Sequence, residues 1–121
     1  MTSWANLDAL KTAVTAALSE ALPEPTVVMC HISHTYATGA SLYFTVVYRQ
    51  DGEPLEQWMA AKRTVSQAIT DAGASITHHH AVGRDHRPWL SAEIGELGVD
   101  ALRAVKDVLD PAGVCNPGKL V

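Results

Sequence analysis

Residues 41–49, Ser-Leu-Tyr-Phe-Thr-Val-Val-Tyr-Arg, constrain the fold more than any other stretch. Leu42, Phe44, Val46 and Tyr48 fall on one side of a two-residue period, and Tyr43, Thr45 and Val47 on the other. Only a strand places every second residue on the same face. Residues 26–33, Thr-Val-Val-Met-Cys-His-Ile-Ser, are rich in β-branched side chains and predict a second strand. The connector from His34 to Gly39 is short, with Thr38-Gly39 as its turn signal. Strands joined so closely pair antiparallel, and the apolar face of the hairpin then needs a cover.

Two helices supply that cover. In residues 4–20, Leu7, Leu10, Val14 and Leu18 recur at spacings of three and four, and Pro23 and Pro25 stop the pattern. After the Asp51-Gly52 turn a second helix spans about 53–71, with Pro54 in its first turn and Gly73 as its end signal. Its predicted inward stripe is Leu55, Trp58, Met59, Val65 and Ile69. Residues 74–77 read as a short third strand. A last helix covers about 98–109, with Val99, Leu102, Val105 and Leu109 inward, and Asp110-Pro111 ends it.

The expected class is therefore α+β. It is an incomplete ferredoxin-like αββαβ unit with a small antiparallel sheet plus a C-terminal helix. A complete unit has one more strand at its start, lying centrally in the sheet. Without it the slot between 41–49 and 74–77 has no occupant, and buried unpaired backbone groups cost about 1–3 kcal/mol each. Either 74–77 closes onto 41–49 or two chains pair through their open edges, and the reading favours the homodimer. An incomplete unit also reads as a piece of a longer protein.

Composition excludes several classes. With 121 residues, 47% hydrophobic, the chain can build one modest core. A net charge of −4 argues against a nucleic-acid footprint. No apolar run approaches the roughly 20 residues that span a bilayer. The first residues, Met-Thr-Ser-Trp-Ala-Asn, do not form a signal peptide. Cys30 and Cys115 form no Cys-x-x-Cys and read as reduced thiols of a cytoplasmic protein.

The chemistry is concentrated in the histidines. His78, His79, His80 and His86 lie within residues 73–89, while His31 and His34 share a stretch with Cys30 and Tyr36. Imidazole packs poorly, so clustered histidines point to proton transfer, metal binding or polar ligand contact. No His-x-x-x-His pair on a helix and no nearby Cys or carboxylate completes a metal set, so no metal is assigned. By strand alternation His78 and His80 share one face and His79 takes the other, while His31 and His34 fall on different faces. Proton transfer needs a group poised near neutral pH, and Tyr36 with His80 can supply it. His78 and His31 read as hydrogen-bonded structural histidines. His34, beside Tyr36, and the basic run Arg84, His86 and Arg87 are candidates for binding a polar or phosphate-bearing substrate.

Three stretches, in order, carry a resemblance. They are His31-Ile-Ser-His-Thr-Tyr-x-x-Gly-Ala-Ser-Leu-Tyr-Phe, Ile76-Thr-His-His-His-Ala-Val-Gly-Arg-Asp-His, and Asp110-Pro-Ala-Gly-Val-Cys-Asn-Pro-Gly-Lys119. Together they resemble the C-terminal part of the alkyldihydroxyacetonephosphate (alkylglycerone-phosphate) synthases. More broadly they resemble the FAD-linked oxidases of the vanillyl-alcohol-oxidase type. The likeness implies residues 1–90 as a cap segment over substrate and 91–121 as a C-terminal helix and flavin-facing tail. It implies FAD as cofactor, held mainly by an FAD-binding domain outside these residues. It implies exchange of the acyl group of acyl-dihydroxyacetone phosphate for a fatty alcohol, with the flavin as a covalent trap and no net redox change. A lipid substrate also implies peripheral contact with a membrane.

Residue by residue, Tyr36 resembles the family's active-site tyrosine, and His79 and His80 its active-site histidines. His80 is expected to face the flavin and His79 to place substrate. Asn116 and Lys119 resemble the tail that packs against the isoalloxazine. Ala81 stands where the family usually has Gly, and Cys115 where it has Leu or Ile. Two other readings stay open at this point: another FAD-linked oxidase acting on a hydroxy acid or alcohol, and a free-standing ferredoxin-like module that binds a ligand or metal.

Overall fold

The computed structural model describes every residue from Met1 to Val121. The strands are β1 (Thr2–Ser3), β2 (Thr26–Thr35) and β3 (Gly39–Tyr48). The helices are α1 (Leu7–Ala21), α2 (Pro54–Asp71), α3 (Leu90–Ile94) and α4 (Glu96–Leu109). The chain divides into two compact units, Met1–His78 and His79–Val121. The class is α+β with a small antiparallel sheet, as the sequence predicts.

In the first unit the β2–β3 hairpin forms where the alternation requires it, with Val28 opposite Val46, Cys30 opposite Phe44 and Ile32 opposite Leu42. Leu42, Phe44, Val46 and Tyr48 pack against a core built by Leu10, Val14, Leu18 and Leu22. Burying each such leucine or valine contributes about 1.5–3 kcal/mol. α2 meets this core with small side chains, since Ala61 is fully buried and Ser66 almost so. Val65 and Ile69 pack there as expected, but Leu55, Trp58 and Met59 are exposed. The large side chains of α1 fill the space between the helices, so α2 turns an alanine-and-serine stripe towards them and its bulkier residues outward.

α2 ends in the motif that Gly73 announces. Gly73, at φ 65°, donates its N–H to the Thr70 carbonyl, and Ala74 donates to that of Ile69. These are the two bonds of a Schellman cap, and Ala74 tucks against the core beside them.

The predicted strand at 74–77 is not formed, and the slot beside β3 is not empty at its start. β1 enters it, pairing Thr2 with Ala40 and Ser3 with Gly39, so the sheet order is β1-β3-β2. Ser75 lies on the far side of Met1. The Met1 ammonium donates to the Ser75 carbonyl at 2.8 Å, and the Ser75 N–H donates back to the Met1 carbonyl at 2.9 Å. The first strand of the ferredoxin-like unit is thus present as a two-residue stub. Gly39 makes the approach feasible, because a Cβ there would collide with the Thr2 carbonyl oxygen. Asn6 locks the arrangement, donating from Nδ2 to Thr2 Oγ1 at 3.0 Å and to the Ala72 carbonyl at 2.8 Å.

The second unit opens with the histidines and passes through a 3₁₀ turn, Arg87–Trp89, into α3, a short helix that the sequence pattern does not announce. Val99 is buried and Leu102 half-buried on α4, as expected, but Val105 and Leu109 point outward, at 56% and 78% exposure. Within this unit α3 is only five residues long, so it covers the first turns of α4 and leaves the rest open. No helix of the chain is long and apolar enough to cross a membrane.

Candidate functional site

In the first unit the site is built where β2 leaves the sheet. A bulge at Ser33 interrupts the register, so that Ile32 faces Leu42 but His34 faces Ser41. The extra residue shifts the alternation by one. His31, opposite Tyr43, and His34, opposite Ser41, therefore share the face away from the helices, not opposite faces as a regular strand would have it. The His31 and Tyr43 rings lie 5.1 Å apart on that face. Ser33 Oγ donates to the Ser41 carbonyl at 3.4 Å, and His34 Nδ1 lies 3.3 Å from the same hydroxyl. With the hydroxyl proton given to Ser41, His34 Nδ1 carries the ring's proton and donates.

Tyr36 sits just past the end of β2, and its backbone is held from two sides. Its N–H donates to the Gly39 carbonyl at 2.8 Å, and the Trp4 indole N–H donates to the Tyr36 carbonyl at 3.0 Å. Its hydroxyl oxygen lies 2.6 Å from His78 Nε2. The neutral imidazole accepts the phenol proton, and the imidazolium donates one instead, so the pair can hold a proton at either end. The His34 ring stands 4.7 Å, centre to centre, from His78. Tyr36 and His78, with Thr38, Gly39 and residues Met1–Ser3, line a cavity of about 630 Å³, a volume in the range that takes a small ligand.

Sequence reasoning placed His80 with Tyr36 and gave His78 a structural part, yet the hydroxyl's partner is His78. The Trp4 contact was also missed. Neither had a signal in the sequence, since both depend on how β1 and residues 75–78 return to the hairpin. Cys30, on the helix-facing side of β2, has its thiol pKa pushed up by burial, with Lys11 opposing the shift, so it stays a neutral thiol.

The other candidates belong to the second unit. His79 and His80 stack edge to face, with ring centres 4.4 Å apart. Arg84 and Arg87 are exposed, and Arg87 Nη1 reaches the Gly118 carbonyl at 3.5 Å. The tail is clamped at its start. Asp110 accepts from Lys106 Nζ at 2.6 Å and from the backbone N–H groups of Val114 and Cys115, each at 2.9 Å. Lys106 Nζ also donates to the Cys115 carbonyl at 2.8 Å. The Lys106 ammonium, followed by the Cys115 N–H, holds the Asp110 carboxyl well below its ordinary value, at about 2. Beyond the clamp, Asn116 to Lys119 form a turn closed by the Lys119 N–H donating to the Asn116 carbonyl at 3.2 Å. The Asn116 carboxamide and Lys119 ammonium are exposed and unbonded there.

Residues 2–120 match the family described as FAD linked oxidases, C-terminal domain. The chain belongs to that family. It is 39% identical over 93 residues to the alkyldihydroxyacetonephosphate synthase of Trypanosoma brucei brucei, covering 76% of this chain and 15% of that enzyme. The synthase of Dictyostelium discoideum is 36% identical over 98 residues, 80% of this chain and 16% of its own. Glycolate oxidase subunit GlcD of Bacillus subtilis is 31% identical over 68 residues, 56% of this chain and 14% of its own. This chain thus spans less than a fifth of these relatives' length. The family's cofactor is FAD. A carboxamide and an ammonium with no partner in the chain offer the donors and acceptor that a ring edge of carbonyls and nitrogens can use.

Proposed function

We propose that this chain is the substrate-facing cap and C-terminal segment of an FAD-dependent enzyme similar to the alkylglycerone-phosphate synthases. Such an enzyme exchanges the acyl group of acyl-dihydroxyacetone phosphate for a fatty alcohol. The observation that carries the reading is the 2.6 Å Tyr36–His78 pair at the mouth of a ligand-sized cavity. Removal of a proton from the carbon beside a carbonyl needs a phenol or imidazole that can take it and pass it on. Tyr36 and His78 do this, with His34 aligning the His78 ring. His79 and His80 are assigned to ligand contact in the full enzyme, His80 to the cofactor and His79 to substrate. Arg84 and Arg87 neutralise the substrate phosphate, since guanidinium suits that anion. Asn116 and Lys119 hold the edge of the flavin. FAD, when bound, supplies the electrophile that retains the substrate carbon during exchange.

The test uses the segment joined to its FAD-binding domain. Tyr36→Phe and His78→Ala should each lower turnover about 10²–10⁴-fold, with little change in melting temperature because Tyr36 is exposed and His78 only half-buried. His80→Ala should weaken cofactor contact. Turnover within a few-fold of the parent for Tyr36→Phe, or a collapse for His80→Ala with His78→Ala near normal, would reject the assignment of the pair. Likeness to the glycolate oxidase subunit supports a second reading, an oxidase of hydroxy acids. Flavin reduction by a simple 2-hydroxy acid without any acyl lipid would favour that alternative.

A further inference from the structure

His34 and His78 come from distant parts of the chain, so no spacing in the sequence announces them as a pair. The fold of the first unit brings them together. Their rings stand 4.7 Å apart, centre to centre, at 42° to one another, and one nitrogen of each lies within 4.8 Å of the other. Each ring is also held from behind by a hydroxyl. His34 Nδ1 lies 3.3 Å from Ser33 Oγ, and His78 Nε2 lies 2.6 Å from the Tyr36 hydroxyl. Histidines that ligate a metal are held in this way. One ring nitrogen takes the ion, and the other bonds to a fixed polar group that sets the tautomer and the direction of the ring. A Zn–N bond is about 2.0–2.1 Å long, so a tetrahedral ion needs its two nitrogens about 3.3 Å apart. His34 is exposed and His78 half-buried, so a small turn of the His34 ring meets that distance.

We propose that His34 Nε2 and His78 Nδ1 bind a divalent ion that prefers imidazole, Zn²⁺ rather than Mg²⁺, and that the bound ion silences the Tyr36–His78 pair. The hydroxyls decide which nitrogens take part. Ser33 gives its proton to the Ser41 carbonyl, so His34 carries its own on Nδ1 and offers the Nε2 lone pair to the ion. Tyr36 holds Nε2 of His78, which assigns Nδ1 to the ion. Imidazole suits Zn²⁺, Cu²⁺ and Ni²⁺, whereas Mg²⁺ and Ca²⁺ favour oxygen. Water completes the coordination at this open surface. With Nδ1 on the metal, His78 carries its proton on Nε2. There it donates to Tyr36 and can no longer accept the phenol proton. The ion is thus an inhibitor and not a cofactor. The site rests on geometry alone, whereas the inhibition rests on the proposed function.

The experiment titrates the 121-residue chain with ZnCl₂ by calorimetry and follows the histidine rings by ¹⁵N NMR. Zn²⁺ should move the signals of His34 Nε2 and His78 Nδ1 most, and MgCl₂ should move neither. His34→Gln and His78→Gln should each weaken Zn²⁺ binding by about tenfold or more, and Tyr36→Phe by about tenfold, the effect of losing the group behind a ligand. His31→Gln and His80→Gln should leave the affinity unchanged. An affinity that survives His34→Gln but falls with His80→Gln would mean an adventitious ion only, on the triple histidine, and overturns the proposal. So does Tyr36→Phe binding Zn²⁺ as tightly as the parent, because the ion would then take Nε2 in place of the phenol. In the segment joined to its FAD-binding domain, Zn²⁺ should stop turnover and a chelator should restore it. Zn²⁺ bound at His34 and His78 with turnover unchanged would keep the site, overturn the inhibition and reject the part given to Tyr36 and His78 in the reaction.

Discussion

Ala81 follows the triple histidine at φ 69°, in the left-handed region where a Cβ crowds the neighbouring carbonyl. The glycine usual at this place in the resembling family thereby acquires a physical reason. Ala81→Gly should stabilise the chain by about 0.5–1 kcal/mol, the relieved strain exceeding the extra freedom of glycine in the unfolded state. Equilibrium urea denaturation checks it, and no change or a loss would mean that the backbone relaxes at no cost. Gly39 illustrates the opposite case. It was legible as a turn signal, but its real duty is to let the Thr2 carbonyl come close. The His31 and His34 faces were misread for a related reason. A one-residue bulge at Ser33 leaves no mark on composition, yet it reverses the alternation beyond it.

Among the elements, the hairpin and the ends of α1 and α2 were legible because they rest on period, proline and glycine. The faces of α2 and α4 were not, because hydrophobicity alone cannot tell which of two apolar stripes finds a neighbour. Leu55 and Leu109 are apolar, but no element of their own unit covers them. The exit of α4 is better determined than the sequence shows. Asp110 gathers the Lys106 ammonium and two backbone N–H groups, so one carboxylate fixes both the helix end and the turn that presents Asn116. Its folded-state pKa lies below the ordinary 3.8, at about 2. The stabilisation is therefore complete above the unfolded value and is lost as pH falls through the folded one. Between about pH 4 and pH 2 the Val114 and Cys115 amide resonances should shift together with the Asp110 carboxyl. Asp110→Ala should speed exchange at both amides at neutral pH and remove that acid transition. An unchanged titration in the variant would show that another group drives it.

At the scale of the whole molecule, the sequence disclosed the class and the family. It did not disclose that Thr2–Ser3 pair with β3 as an edge strand, because two residues carry no readable period. The same scale decides what the chain can bind. In the proposed enzyme Asn116 and Lys119 contact the flavin ring, but a dinucleotide also needs its pyrophosphate neutralised, commonly at a glycine-rich turn leading into a helix N-terminus. Here each helix carries an acid in its first turn: Asp8 in α1, Glu56 in α2, Glu93 in α3 and Glu96 in α4. A carboxylate there occupies the positive end of the helix and repels phosphate. The isolated 121-residue chain should therefore leave gel filtration colourless after incubation with FAD, and Glu96→Gln should not rescue retention, because one freed N-terminus still lacks the glycine turn. Joined to its FAD-binding domain, the same chain should enclose the flavin, and Asn116→Ala and Lys119→Ala should then shift the flavin absorbance without releasing it. A stably yellow isolated chain would place the pyrophosphate on this domain and overturn the division of labour between ring and phosphate.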